Sequence, residues 1–434
     1  MSPARRAVLL TLLCSSLSAA ASGAALAQET SRARVTDLVL ITIDALRADH
    51  LGAYGYHRPI TPNLDALAYR SLRFERVYTP TPHTSLAIGS LLTGRALYSS
   101  IRLQPERTYQ TLPELLRGAG FATAAFFPPA VFFTENQRFK RYEDTHFGFE
   151  HAEIDYFDSK LGVERTIAYL ERRREKRSFV WLHLLEPHEP YDQHPSHFFG
   201  HGDKDRYDSE IAFADAAVGH LLDYLARTRP GAAILVTADH GEAFDEHGAR
   251  YHGTSLYDEQ LRVPLILHLP GTQPRVIHAP ISLLDVAPTF LQLGDVAVPA
   301  ELRGQPLTAQ ADTKLRDRPV FSEFDELRMV VSGTRKLLCN IVKSSCAVYE
   351  LSKDPRELHD ILSSAQDTVA SLMPELMRRI SEAAASYAQK VDPKEPRWSL
   401  IGRAQLGDGS VAAELSGLLG SGVPQPLRDR KSVV

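Results

Sequence analysis

The sequence predicts an α/β protein: an open, mostly parallel sheet flanked by helices on both faces, followed by a small C-terminal α+β subdomain. Three observations carry that expectation. Short, continuous apolar runs recur along most of the chain. Helical patterns lie between them, as in strand–helix alternation. Beyond about Gly304 the pattern changes to alternating strands and one long amphipathic stretch.

At the N-terminus, "MSPARRAVLLTLLCSSLSAAASGAALAQET" sets Arg5-Arg6 before a short apolar segment and a small-x-small site at Ala25-Leu26-Ala27. That layout predicts a signal peptide over residues 1–27, cut after Ala27. Its leucine-rich core is too short for an anchor, and Leu13 is a poor neighbour for a lipidated Cys14. Export is expected, to a periplasmic or secreted location, with no stable membrane span after cleavage. No later apolar run reaches the roughly 20 residues that a spanning helix needs. Lys and Arg number 49 against 53 Asp and Glu, so no basic excess points to nucleic acid.

The segments "DLVLITID" (37–44), "FATAAFF" (121–127), "SFVWLHLLEPH" (178–188) and "AAILVTADHGE" (232–242) read as buried parallel strands. "TPNLDALAYRSL", "TLPELLRGAG" and "SEIAFADAAVGHLLDYLARTR" read as helices between them. The main domain is expected over residues 36–310. Over 318–390, "PVFSEFDELRMVVSGTRKLLCNIVKSSCAVYEL" predicts antiparallel strands and "DTVASLMPELMRRISEAAASYAQ" an amphipathic helix. Residues 391–434 are rich in Gly, Pro and Ser apart from a weak helical stretch near Val411–Leu419, and are expected to form a flexible tail. After cleavage only Cys339 and Cys346 remain, flanking "NIVKSS". In an oxidising compartment a cross-strand disulfide is expected there, with two unpaired small side chains as the alternative.

Sites in open α/β sheets form at the carboxyl ends of strands. Three apolar runs end in groups suited to metal or phosphate chemistry: Asp44; Asp239-His240 followed by Glu242; and Glu186 with His188. One Asp after a strand is most often a cap or turn residue, but three loaded strand ends are hard to ascribe to chance. Asp44, Asp239 and His240 mix hard oxygen with imidazole, which suits Zn or Mn, whereas a pure Ca site would be all oxygen. In "YTPTPHTSLAIGSLLTGR" (78–95), Thr84 stands at the mouth of a helix that Gly94 closes. It reads either as an N-cap or as an alcohol that a nearby metal would activate.

The pieces "ITIDALRADHLGAYGYHRPITPNLDALA", "TSLAIGSLLTGR", "LHLLEPHEPY", "TADHGEAFDEHG", "YHGTSLYDEQLRVPLI" and "SLLDVAPTFLQL" follow one another as they do in the sulfatase family of the alkaline phosphatase superfamily. The resemblance runs from about Asp37 to Leu307, and "VYELSKDPRELHD" resembles the family's C-terminal subdomain. It implies an alkaline-phosphatase-like fold and a divalent metal ion, Ca, Mn or Zn, held by Asp44, Asp239, His240 and Thr84. Thr84 falls where sulfatases carry the Cys or Ser converted to formylglycine. His188 matches the active-site His of the "PHxPY" segment, and His252 stands where many sulfatases have Lys, so both join Thr84 as catalytic candidates. One ion is expected, and Glu186, His188 and His252 leave room for a second.

The departures are informative too. The family's Cys/Ser-x-Pro-x-Arg is Thr84-Ser85-Leu86-Ala87-Ile88 here, the second metal Asp is Ala45, and "AAFFPPAVFF" lacks the Lys and His that hold sulfate. A threonine cannot give the same aldehyde, because its β-carbon carries a methyl group. The resemblance therefore implies an exported hydrolase of sulfate or of phosphate or phosphonate esters, using Thr84 directly. A phosphoglycerol- or phosphoethanolamine-type transferase on envelope lipids or glycans is the runner-up, and a catalytically silent binding protein is the reading from another class. The partner is a small-molecule, glycan or lipid ester. Arg47, Asp49 and His50 are expected to be solvated or capping, Tyr54 and Tyr56 to pack their loop, His83 and His247 to be structural, and His183 to be a satisfied core histidine.

Overall fold

Strand β1 (Asp37–Ile43) is the spine of the sheet, and Leu38 to Ile41 are completely buried because both faces are covered. The computed structural model describes residues 35–97, 110–132, 146–307 and 311–388. The expected signal peptide and tail lie outside the described residues. No described helix is long and apolar enough to cross a membrane.

On one side β1 pairs in parallel with β5 (Ser178–Leu184), which leads to β3 (Ala122–Phe127) and β4 (His151–Ile154). On the other it pairs in parallel with β6 (Ala232–Ala238). Beyond β6 come β9 (Arg262–His268), β2 (Leu72–Tyr78) and β10 (Arg275–Ile277), with the short β11 (Ile281–Ser282) also on β2. Of these strands only β9 runs antiparallel to its neighbours, and β7 (Ala243–Phe244) and β8 (Arg250–Tyr251) form a separate antiparallel pair. Helices α1 (Pro62–Tyr69), α2 (Thr84–Thr93), α3 (Leu112–Gly118), α4 (Ser159–Arg172), α5 (Asp203–Thr228) and α6 (Val286–Leu293) cover the sheet.

This is the predicted fold, with differences at the margins. The β5 and β6 strands stop at Leu184 and Ala238, so the chemistry-bearing residues belong to the loops that follow. Strands β2 and β9 were not anticipated. "LRFERVY" mixes arginines with apolar residues, so it lacks the continuous apolar run of its neighbours. Helix α5 begins at Asp203, six residues before the predicted start, in a polar stretch without apolar periodicity. Thr84 is the first residue of α2, and His83, in extended conformation, is its N-cap. Gly94 ends α2 at φ +64°, where a side chain would also meet Leu302.

The C-terminal part is an antiparallel sheet of β12 (Val320–Phe324), β13 (Leu327–Ser332), β14 (Arg335–Asn340) and β15 (Ser345–Glu350), covered by α7 (Gln366–Ala388). Cys339 and Cys346 stand opposite each other on β14 and β15 with Cα atoms 4.1 Å apart, and a disulfide joins them. The sheet is clasped to the first domain by Lys336. Its ammonium is fully buried, 2.8 Å from Asp258 Oδ1 and 2.7 Å from Glu357 Oε1, with the Tyr257 ring beside it. Burial alone would lower the lysine's pKa, but Asp258 and Glu357 raise it above its ordinary value.

Lys336→Ala would leave the buried Glu357 and the half-buried Asp258 without a counter-charge. We expect a loss of roughly 3–5 kcal/mol, as for a broken buried ion pair, read as a lower denaturation midpoint. A loss within about 0.5 kcal/mol, the range of surface substitutions, would show that the clasp does not matter to stability.

Candidate active site and metal centre

Strands β1 and β6 are in register, with Ile43 opposite Ala238, so the next residues, Asp44 and Asp239, emerge side by side at the carboxyl end of the sheet. Both are buried. Each carboxylate has one oxygen saturated by the protein and one left over. Asp239 Oδ1 accepts the backbone N–H groups of Ala45 (3.1 Å) and His240 (2.9 Å). Ala45 reaches it from the left-handed region, at φ +53°. Asp44 Oδ2 lies 3.2 Å from His183 Nε2. The remaining oxygens, Asp44 Oδ1 and Asp239 Oδ2, are buried without any hydrogen-bond partner.

A chain of buried donors orients Asp44. The Trp181 indole N–H donates to Thr42 Oγ1 (2.9 Å), and Thr42 lies 2.8 Å from His183 Nδ1. The Thr42 proton then goes to Nδ1, and His183 Nε2–H donates to Asp44. His183 is the satisfied core histidine that the sequence suggested, and its second nitrogen also grips a site carboxylate.

His240 sits between the two carboxylates. Its Nδ1 is 2.9 Å from the Gly241 carbonyl, which can only accept, so Nδ1 carries the proton and Nε2 keeps a lone pair. Nε2 lies 3.6 Å from Asp44 Oδ1, 3.3 Å from Asp239 Oδ2 and 3.0 Å from Thr84 Oγ1. Burial, then the charge of His252, depresses the imidazole pKa well below its usual value, which keeps the ring neutral. Burial and the neighbouring Asp44 charge push the Asp239 carboxyl well up. For Asp44, burial is outweighed by the histidines His188, His183 and His240, and its pKa is lowered. Two buried carboxylates, a neutral imidazole lone pair and a hydroxyl facing one point are a donor set that fits a divalent cation.

Beside this centre lies a second, more exposed group: His188, Glu189 and His252. The His252 ring stacks on His240 with centroids 4.3 Å apart and meets His188 at 4.9 Å. Burial opposes protonation of His252, but the hydrogen bond and charge of Glu242, with Glu189 and Asp44, push it up to about 9. Glu186, expected to join these histidines, turns away. Its carboxylate accepts both the backbone N–H and the hydroxyl of Ser159 at the start of α4. Glu189 takes its place, one residue after His188 in the same "EPHEP" run.

Arg47 and His50 are buried, contrary to expectation. Arg47 forks onto Asp49 (2.8 Å) and also reaches the Glu242 carbonyl (3.0 Å) and Glu246 (3.1 Å), fixing the loop that carries His240 and Glu242. His50 bonds Asp208 on α5 (2.8 Å) and stacks on Tyr56. Single charged residues in a polar run give no sign of partners 158 to 199 positions away. His247 stacks on Tyr257 and lies 3.0 Å from Glu259, so its surroundings are structural. The His83 ring lies 6.5 Å from that of Phe324 on β12, so the C-terminal sheet reaches the segment that enters α2. Where the resemblance predicts sulfate-holding cations, Phe127 and Phe132 pack edge to face, and the Val131 carbonyl accepts the Ser85 hydroxyl.

The fold is that of the alkaline phosphatase-like superfamily. The Sulfatase family model matches residues 36–296, and the model for the C-terminal part of N-sulphoglucosamine sulphohydrolase matches 245–386. The chain belongs to the sulfatase family. It is 20% identical over 471 residues to the uncharacterized sulfatase YidJ of Escherichia coli, covering 86% of this chain and 94% of that one. Among solved structures, BT4656 in complex with D-glucosamine-2-N,6-O-disulfate shares the fold with a TM-score of 0.67 at 19% identity, covering 83% of this chain and all of that one. The phosphonate monoester hydrolase of Agrobacterium radiobacter does so with a TM-score of 0.64 at 18% identity, covering 81% and 96%.

Two outcomes test the site. After chelation, Asp239→Asn should melt above wild type, because it removes one of two repelling carboxylates. With Zn, Mn or Ca at about a hundred times Kd, wild type should gain roughly 2.7 kcal/mol and the variant little. Equal gains by calorimetry would exclude Asp239 as a ligand.

Glu246 titrates differently. Burial raises its pKa, but Arg47, the Phe244 N–H and Lys204 lower it from 4.5 to about 2. Its stabilisation is therefore complete above pH 4.5 and is lost as pH falls towards 2. Glu246→Gln should be less stable at neutral pH and show a flatter acid limb in melting temperature. Parallel pH profiles would refute the assignment.

Proposed function

We propose that the protein is an exported, metal-dependent ester hydrolase in which Thr84 is the nucleophile, with phosphate or phosphonate esters preferred over sulfate esters. The observation that carries this is the 3.0 Å separation between Thr84 Oγ1 and His240 Nε2, within the Asp44–Asp239–His240 cluster. A divalent cation bound by Asp44, Asp239, His240 and Thr84 would lower the pKa of the threonine hydroxyl and offset charge on the ester oxygens.

The chain's own groups supply the rest. Thr84 stands in the first turn of α2, where the helix dipole favours an anion. Its hydroxyl gives up its proton to solvent as the oxygen attacks phosphorus or sulfur in line, and the bond to the leaving oxygen breaks. His252 donates a proton to that oxygen, with His188 beside it as the other candidate acid. Water then releases the group from Thr84. The preference for phosphorus follows from two absences in the sequence: no residue at 84 can become an aldehyde, and no Lys or His lies in "AAFFPPAVFF" to hold sulfate. A phosphonate monoester hydrolase shares the fold, which is consistent with this reading. A second ion at His188, Glu189 and His252 is included as an extension of the same site. In this reading the catalytic domain spans residues 36–310 and the C-terminal subdomain residues 318–390.

Chromogenic sulfate, phosphate-monoester, phosphodiester and phosphonate substrates, assayed with several metals, test it. Thr84→Ala should lower kcat/KM by on the order of 10³ or more, while Thr84→Ser keeps partial activity. Equal rates for wild type and Thr84→Ala would refute the nucleophile. Turnover with sulfate esters alone would refute the phosphorus preference.

A further inference from the structure

Away from Thr84, at the seam where β12, β13 and α7 meet the first domain, a cavity of about 240 Å³ opens. Five of its wall residues are arginines: Arg303, Arg318, Arg328, Arg378 and Arg379. Only Asp285 and Glu323 contribute carboxylates to the wall. Much of the remainder is apolar, and Phe321 from the sheet and Leu376 from the helix belong to one packed hydrophobic cluster there.

Four of the arginines have work in the fold. Arg318 forks onto Asp285, whose buried carboxylate also takes the backbone N–H of Gln305. Arg303 and Arg378 share Glu382, and Arg378 also holds Glu375 at 2.9 Å. Arg328 bonds the carbonyls of Asp325 and Leu327 and lies 3.7 Å from Glu323. Arg379 is different. Among the described residues it makes no hydrogen bond and no ion pair, although it is partly buried in this wall. Burial lowers its pKa, and the like charges of Arg303 and Arg378 add to that against the carboxylates of Glu323 and Glu382. An unpaired guanidinium facing a cavity already rich in guanidinium groups is costly unless an anion joins it.

We propose that this cavity binds a small organic anion, its tetrahedral oxyanion head on Arg379 and its apolar or aromatic body against the apolar wall that Phe321 and Leu376 form. The planar fork of arginine matches a sulfonate, sulfate or phosphate head, and the apolar wall suits a ring. The site does not depend on the role assigned to Thr84. It borders the segment leading there, since the Glu323 N–H donates to the Pro80 carbonyl at 2.9 Å.

The test uses 1-anilinonaphthalene-8-sulfonate on the full chain, a fluorescent aromatic sulfonate whose C–S bond an ester hydrolase does not cleave. Saturable binding is expected in wild type and unchanged in Thr84→Ala. In Arg379→Gln the affinity should fall about tenfold or more, the scale of one charge-assisted contact, and Arg379→Lys should fall between. Competition by inorganic sulfate against inorganic phosphate identifies the preferred head. Melting of Arg379→Gln should match or exceed that of wild type, because no partner is lost; if that variant does not fold, Arg379→Lys and Arg303→Gln give the same reading. Equal affinities in wild type and the Arg379 variants would overturn the proposal, as would binding lost in Thr84→Ala but kept in Arg379→Gln.

Discussion

Two carboxylates, Asp44 and Asp239, emerge side by side from adjacent parallel strands into a region that water does not reach. Like charges so close in a low-dielectric setting repel strongly, and burial adds a further cost. The backbone gives neither group freedom to move apart, because the β1–β6 register fixes the start of both loops. The surrounding structure reads as a set of answers to that constraint. Each carboxylate is half satisfied from behind and left open in front, and a neutral imidazole is wedged between them.

The support for this pair extends well beyond the site. The Trp181–Thr42–His183 chain ties Asp44 to the aromatic core around β5. The Ala45 backbone, held at positive φ, ties Asp239 to the other strand. Tyr207 on α5 donates to the Ala45 carbonyl and accepts the Arg47 N–H, so a helix on the face of the sheet holds the same loop. Arg47 then binds the loop that carries His240. Misplacing any one element would shift a charged oxygen, which explains why so many polar groups near the site are buried with their partners.

The fold was legible because its signal is additive. Each buried parallel strand is a continuous apolar run, and four such runs with helices between them outweigh local ambiguity. β2 and β9 escaped notice because Arg73, Glu75, Arg76 and Arg262 interrupt their apolar pattern; Arg73 pairs with Glu75 inside β2, and the other three reach beyond their own strands. Asp44, Asp239, His240 and Thr84 were legible as a group, since each stands where a strand ends or a helix begins. Glu189 was not. "EPHEP" offers two glutamates flanking one histidine, and only the path of the chain past Leu184 decides that Glu186 caps α4 while Glu189 turns to His188. Arg47 and His50 were misjudged for a related reason: burial of a charge depends on partners distant in sequence, which no local pattern encodes.

The orphaned oxygens also bear on whether such a site could persist without turnover. A buried carboxylate oxygen without a donor costs on the order of 1–3 kcal/mol or more, and here there are two, facing each other. Replacing either aspartate by an asparagine or alanine would relieve that cost within the same backbone. A chain that used the fold only to bind would gain stability from the exchange at once. The sequence instead keeps both aspartates, adds a neutral imidazole aimed between them, and sets a hydroxyl 3.0 Å from that imidazole at a helix N-terminus. Each feature alone has a structural use, and together they are the arrangement on which the proposed reaction rests.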